Sequence, residues 1–129
     1  MRFIPVAKKD YRFLYNLLAK RPKYWNISHN VMPTYNEHCK FNNAKPYTLD
    51  YIIYEDKKRI GRLYVTHKDE VGVYCLSEKY IPRVLDEVLA AANDAHKAIF
   101  FNVSPNNELL NNYFRKKGLK VIQYTYKYL

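Results

Sequence analysis

The stretch "FNVSPNNELLNNYFRKKGLKVIQYTY", Phe101 to Tyr126, passes from an apolar run through an asparagine-rich turn into a segment of helical period, and then past a glycine into alternation. Leu109, Leu110, Tyr113 and Phe114 recur at spacings of three and four, one face of an amphipathic helix. Gly118 follows the last periodic residue and supplies the left-handed stop. Upstream, "AIFFNV" (Ala98 to Val103) is continuously apolar, as in a strand buried on both faces. Downstream, "LKVIQYTYKYL" places Tyr124, Tyr126 and Tyr128 on one face of a strand, where aromatic residues pack well. The final third is therefore expected to run strand, helix, strand.

Three strands are predicted before it: Thr48 to Glu55, Arg59 to Thr66 and Glu70 to Leu76. The charged links "DKK" and "HKD" between them are short enough only for an antiparallel meander. "SEKYIPRVLDEVLAAAND" (Ser77 to Asp94) then reads as a helix with Val84, Leu85, Val88, Leu89 and Ala92 as its apolar stripe. At the other end, "RFIPV" (Arg2 to Val6) reads as an edge strand, because Pro5 cannot sit in a central one. "DYRFLYNLLAKR" reads as a helix capped by Asp10, and a second short helix starts after Pro33, with Thr34 as cap and Glu37 as its reciprocal partner. The order β, α, α, β, β, β, α, β, α, β predicts an α/β (α+β) fold: a mixed, mostly antiparallel central sheet flanked by about four helices, in one domain over residues 1–129.

A chain of 129 residues can bury a core without disulfides or a structural metal. The charges of Arg2, Lys8, Lys9 and Asp10 exclude an apolar secretory segment near the start, and no run approaches the ~20 apolar residues of a membrane span. Cys39 and Cys75, on a predicted helix and a predicted strand, are expected as free thiols in a reducing cytoplasm. The net charge of +10 favours anionic partners, nucleic acid among them. His29 and His38 are candidate bases or ligands. The pair His38 and Cys39 forms no zinc motif, since neighbouring helix positions diverge.

This element order, with Asn107 opening the last helix and Tyr113-Phe114, Lys116 and Gly118-Leu119 closing it, resembles the GCN5-related N-acetyltransferase family over nearly the whole chain. "DEVGVYCLSEKY" (Asp69 to Tyr80) is similar to that family's central strand and the entry to its cofactor loop. The resemblance implies acetyl-CoA as donor, an amine as acceptor, and a gap between two splayed strands lined by Val73, Cys75, Leu76 and Ser77, with Asn107 also on the cofactor. The family's phosphate loop carries small residues at positions that fall here on Ile81, Arg83 and Leu85. The glycine motif is absent, and Pro82 removes an N–H donor. Arg83 is the candidate for a side-chain phosphate contact in its place.

By the same resemblance, Glu70 is the candidate acceptor of the amine proton; its alternative is a turn residue paired with Lys68. The tyrosine that protonates the leaving thiolate in many relatives falls on Phe114. Tyr113 is the neighbouring candidate, and Tyr124 an alternative. The family's usual C-terminal hairpin is shortened here to one strand, so that an open acceptor site or one completed by a second subunit, as in a homodimer, is expected. Three readings follow: an N-acetyltransferase using acetyl-CoA, a catalytically inactive binding module for a protein or nucleic acid, and an acyltransferase whose donor is a carrier protein.

Overall fold

Ile52 and Ile53 are adjacent on one strand and both fully buried, so the sheet that holds them is covered on both faces. The computed structural model describes residues 1–21 and 31–129. Its sheet runs β1 (Arg2–Pro5), β2 (Leu49–Glu55), β3 (Lys58–Val65), β4 (Val71–Cys75), in that spatial order and antiparallel throughout. The helices are α1 (Tyr11–Lys20), α2 (Tyr35–Asn43), α3 (Ile81–Asp94) and α4 (Glu108–Lys116). Single 3-10 turns, Lys8–Asp10 and Glu78–Tyr80, precede α1 and α3.

One face of the sheet presents Phe3, Tyr51, Ile53, Leu63, Val71, Val73 and Cys75 to Val84 and Val88 of α3. The opposite face lies under α1, whose Leu14 and Leu17 are buried. Alternation along the strands supplies both sets, since successive side chains point to opposite faces.

Local signals fixed most boundaries. Thr34 Oγ1 accepts from the Glu37 N–H, and Glu37 Oε1 accepts from the Thr34 N–H at 3.0 Å, the reciprocal cap expected for α2. Gly118 stops α4 with φ +78°. Asp10 departs from expectation. Its Oδ2 accepts from the Ala7 N–H at 2.9 Å and its buried Oδ1 lies 3.0 Å from Arg59 Nε, so the carboxylate secures the 3-10 turn to β3 and does not cap α1.

The two C-terminal strands also differ from expectation. Segment 98–103 makes only a parallel bridge, Glu70 with Phe100, and residues 119–129 join no strand. Periodicity detects a side-chain pattern suited to a sheet; pairing needs a partner edge in reach.

Gly61 stands opposite Cys75 with its Cα against the β4 backbone. A Cβ there would overlap the Tyr74 carbonyl oxygen, a backbone atom that cannot rotate away. Gly61→Ala is expected to destabilise the fold by about 1–3 kcal/mol, read as a lower urea midpoint at unchanged slope.

Candidate functional site

Strand β4 has two edges, and hydrogen bonding tells them apart. Thr66 N–H donates to the Glu70 carbonyl and Leu76 N–H to the Ile60 carbonyl, so Glu70, Gly72, Tyr74 and Leu76 bond toward β3. Val71, Val73 and Cys75 therefore point their backbone groups the other way. On that side Val71 N–H donates to the Phe100 carbonyl at 2.7 Å and Phe100 N–H to the Asp69 carbonyl at 3.0 Å. The pairing then stops. Among the described residues, the backbone groups of Val73 and Cys75 have no partner on this edge. An unpaired edge of this kind can hydrogen-bond an extended ligand as a further strand would.

Glu70 sits where the two segments are still joined. Its Oε1 accepts from Thr66 Oγ1 at 3.2 Å and its Oε2 from Asn102 Nδ2 at 2.5 Å, so it braces β4 to segment 98–103. The expected partner Lys68 forms no ion pair with it among the described residues.

At the far end of β4, Leu17, Lys20, Arg21, Tyr74, Leu76 and Glu78 line a cavity of about 160 Å³ that also touches Cys75. The Arg21 guanidinium lies over the Tyr74 ring, 4.4 Å from its centre. Burial pushes the Cys75 thiol up to about 12. Both cysteines are free.

The junction between β4 and α3 has already engaged three of the N–H groups near this helix start. Lys79 N–H donates to Ser77 Oγ, Tyr80 N–H to the Ser77 carbonyl and Ile81 N–H to the Glu78 carbonyl; Pro82 has none. Ile81 and Leu85 are each 1% exposed and belong to the core. Between them Arg83 is exposed, and its Nη1 donates to Glu55 Oε2 at 2.6 Å, which holds the Glu55 carboxyl below its usual range.

The remaining expected residues divide. Ser77 Oγ caps the 3-10 turn, and the Leu76 backbone faces β3. Asn107 is buried, and its Oδ1 accepts from the Leu110 N–H to cap α4. Tyr113 donates to Asp86 Oδ1 at 2.6 Å, tying α4 to α3. Burial and that bond push its hydroxyl above the usual phenol range, so it holds its proton. Phe114 packs on Phe101, ring centres 4.6 Å apart. His29 lies outside the described residues, and the described residues contain no His, Cys, Asp and Glu cluster suited to a metal.

Sequence reasoning missed a polar network on the α1 and α2 side of the sheet. Arg62 is buried and donates through Nε and Nη2 to both Asp50 oxygens, at 2.8 and 2.7 Å, and through Nη2 to Asn42 Oδ1 at 2.9 Å. Above it Tyr47 stacks on Tyr64 at 4.0 Å, and the Tyr64 and Tyr74 hydroxyls meet at 3.1 Å. The Tyr64 ring fits only because Gly72 has no side chain. A signal was present: by strand alternation Arg62 shares a face with buried Ile52, and a cation there needs an anion.

His38 belongs to the same layer and is buried beside Asn42, whose Nδ2 lies 3.3 Å from its Nδ1. Burial, and then the Arg62 charge, lower its pKa below the ordinary ~6.5. As pH falls through ~6.5 the unfolded chain takes up a proton that the folded chain refuses, so stability falls until the folded pKa is reached. His38→Gln is expected to flatten the fall in unfolding free energy below pH ~6.5.

The chain path of this protein recurs in solved acetyltransferases. An acetyltransferase from Thermus thermophilus superposes with a TM-score of 0.69 at 16% identity, over 95% of this chain and 88% of that one. A probable acetyltransferase gives 0.65 at 15% identity, over 100% and 96%. The chain has the GCN5-related N-acetyltransferase fold. The acetyltransferase fold is also shared with a predicted acetyltransferase from Clostridium acetobutylicum, solved with acetyl-CoA, at a TM-score of 0.62 and 13% identity over 99% and 95%. No protein-family model matches the sequence, and no curated protein does. Among the described residues, no helix is long and apolar enough to cross a membrane.

Proposed function

We propose that this chain is an N-acyltransferase that moves an acetyl group from acetyl-CoA to an amine. The observation that supports it most is the open edge of β4 beyond the bridge to Phe100. In this reading the backbone groups of Val73 and Cys75 bond the amides of the donor's pantetheine arm. Leu76 and Ser77 bound the end of that edge, and the Asn107 side-chain amide is assigned to the same donor. Arg83 supplies a cation for the phosphates on leaving Glu55.

Glu70 takes the proton of the incoming amine. The neutral nitrogen attacks the thioester carbonyl carbon, the N–C bond forms, the C–S bond breaks, and the surplus proton left on the nitrogen passes through water to the departing thiolate, which leaves as the CoA thiol. With Tyr113 bound to Asp86, its part in the proposal is to hold α4 against α3. The net charge of +10 favours a neutral or anionic acceptor over a polycation.

A second reading is favoured by the junction before α3, where Lys79, Tyr80 and Ile81 N–H groups are engaged and Pro82 has none. A donor without a diphosphate, such as a carrier protein's phosphopantetheine, loses nothing there.

Thermal unfolding with millimolar acetyl-CoA, CoA and ADP separates these. A ligand at ~100 times its dissociation constant adds about 2.7 kcal/mol to the native state. A rise of the midpoint with acetyl-CoA and CoA but not ADP is the expected result. A rise with acetylated carrier protein alone selects the second reading. No rise with either thioester leaves only the inactive binding module.

A further inference from the structure

Segment 98–103 is already fastened to the head of β4 by backbone alone. Val71 N–H donates to the Phe100 carbonyl at 2.7 Å, and Phe100 N–H to the Asp69 carbonyl at 3.0 Å. Asn102 lies two residues past Phe100, so by alternation its side chain falls on the face of Phe100, and across the parallel bridge that is also the face of Glu70. There its Nδ2 donates to Glu70 Oε2 at 2.5 Å. The contact adds little to a junction that two backbone bonds hold. What it fixes is the carboxylate.

The other oxygen of Glu70 is fixed from the opposite side. A threonine hydroxyl has one proton to give and two lone pairs with which to accept. Thr66 Oγ1 accepts from the backbone N–H groups of Lys68 and Glu70, each at 3.2 Å, so both lone pairs are taken. Its one proton goes to Glu70 Oε1, at 3.2 Å. Each carboxylate oxygen thus has one neutral donor, from the turn before β4 and from segment 98–103. A carboxylate has about four acceptor sites, so two stay open. Glu70 is part-buried, and it stands where the pairing of β4 with segment 98–103 stops.

We infer that Asn102 is a positioning residue, whose Nδ2 holds the Glu70 carboxylate in an orientation from which an open acceptor site meets the incoming ammonium. The inference rests on the acyl-transfer reading proposed above and deepens it. A glutamate free to turn samples several rotamers, and a base must meet its proton at hydrogen-bond distance. Asn102 supplies the third group of that arrangement, the one that orients the base. Among the described residues its side chain has no other hydrogen-bond partner, so its replacement acts on Glu70 first. Thr66 is the poorer probe, because its hydroxyl also closes the turn.

Asn102→Ala removes the donor, and Asn102→Asp keeps the shape while setting an acceptor against an acceptor. Release of CoA thiol from acetyl-CoA with a panel of primary amines reads both. Each is expected to lower kcat by about tenfold or more with KM for acetyl-CoA unchanged, since a misplacement of about 1 Å can cost ~10²-fold. In a Glu70→Gln background Asn102→Ala is expected to cost nothing further, because a residue that acts through Glu70 has nothing left to position. An equal loss in both backgrounds overturns the inference and makes Asn102 a brace. Single variants within about threefold of the parent overturn it too. The side-chain amide signals of Asn102 in a nitrogen–proton NMR spectrum need no turnover, and they are expected to move in Glu70→Ala. Signals that stay in place mean that the bond is absent, and the positioning role falls while any activity stands. Signals that move in a protein that acylates none of the amines overturn the acyl-transfer reading, and the positioning role with it.

Discussion

Glu70→Gln is expected to slow acetyl transfer by about 10²-fold or more, because a positioned general base contributes on the order of 10²–10⁴ to rate. Glutamine keeps the shape and one acceptor oxygen, so the links to Thr66 Oγ1 and Asn102 Nδ2 survive in part and β4 stays braced. The loss should therefore appear in kcat, with KM for acetyl-CoA little changed. Release of CoA thiol with a panel of primary amines reads both. A variant within threefold of the parent would make Glu70 a structural brace, and proton removal would have to fall elsewhere.

The second large effect lies in the core. Arg62→Leu removes the partner of Asp50 and a donor to Asn42 at a place where the Arg62 side chain is 7% and the Asp50 side chain 21% exposed. Breaking a buried pair from one side costs about 3–5 kcal/mol, because the remaining charge has lost both its partner and its water. That is a large share of a typical domain's total stability. Chemical denaturation should show the midpoint collapse. A paired replacement, Arg62→Leu with Asp50→Leu, should recover much of the loss, since two apolar groups leave no orphan charge. If the single variant unfolds at the parent's midpoint, the network contributes specificity and little stability.

The elements that could be read from sequence were those whose causes are local. Thr34 and Glu37 lie three residues apart and make their cap without help from the rest of the chain. The β2, β3 and β4 meander followed from alternation and short links. Segments 98–103 and 119–129 both carry strand patterns, one continuously apolar and one alternating, yet whether they pair depends on which edge reaches them. Asp10 was assigned to the nearer helix; the structure gives its carboxylate to Ala7 and Arg59, the latter 49 positions away in sequence. For the candidate site, the bonding alternation of β4 was foreseeable once its strand was placed. The tie between Tyr113 and Asp86 was not, because it joins helices whose relative rotation no spacing encodes.

Cys75 carries a thiol on the same edge that would hold a thioester, and thiols beside thioesters invite exchange: the protein could take the acetyl group onto itself and stall. With its thiol pushed up to about 12, only roughly one part in 10⁵ is thiolate at pH 7, and the thiolate is the nucleophile. In the proposed reaction, burial of the Cys75 thiol would keep self-acylation slow beside an incoming amine.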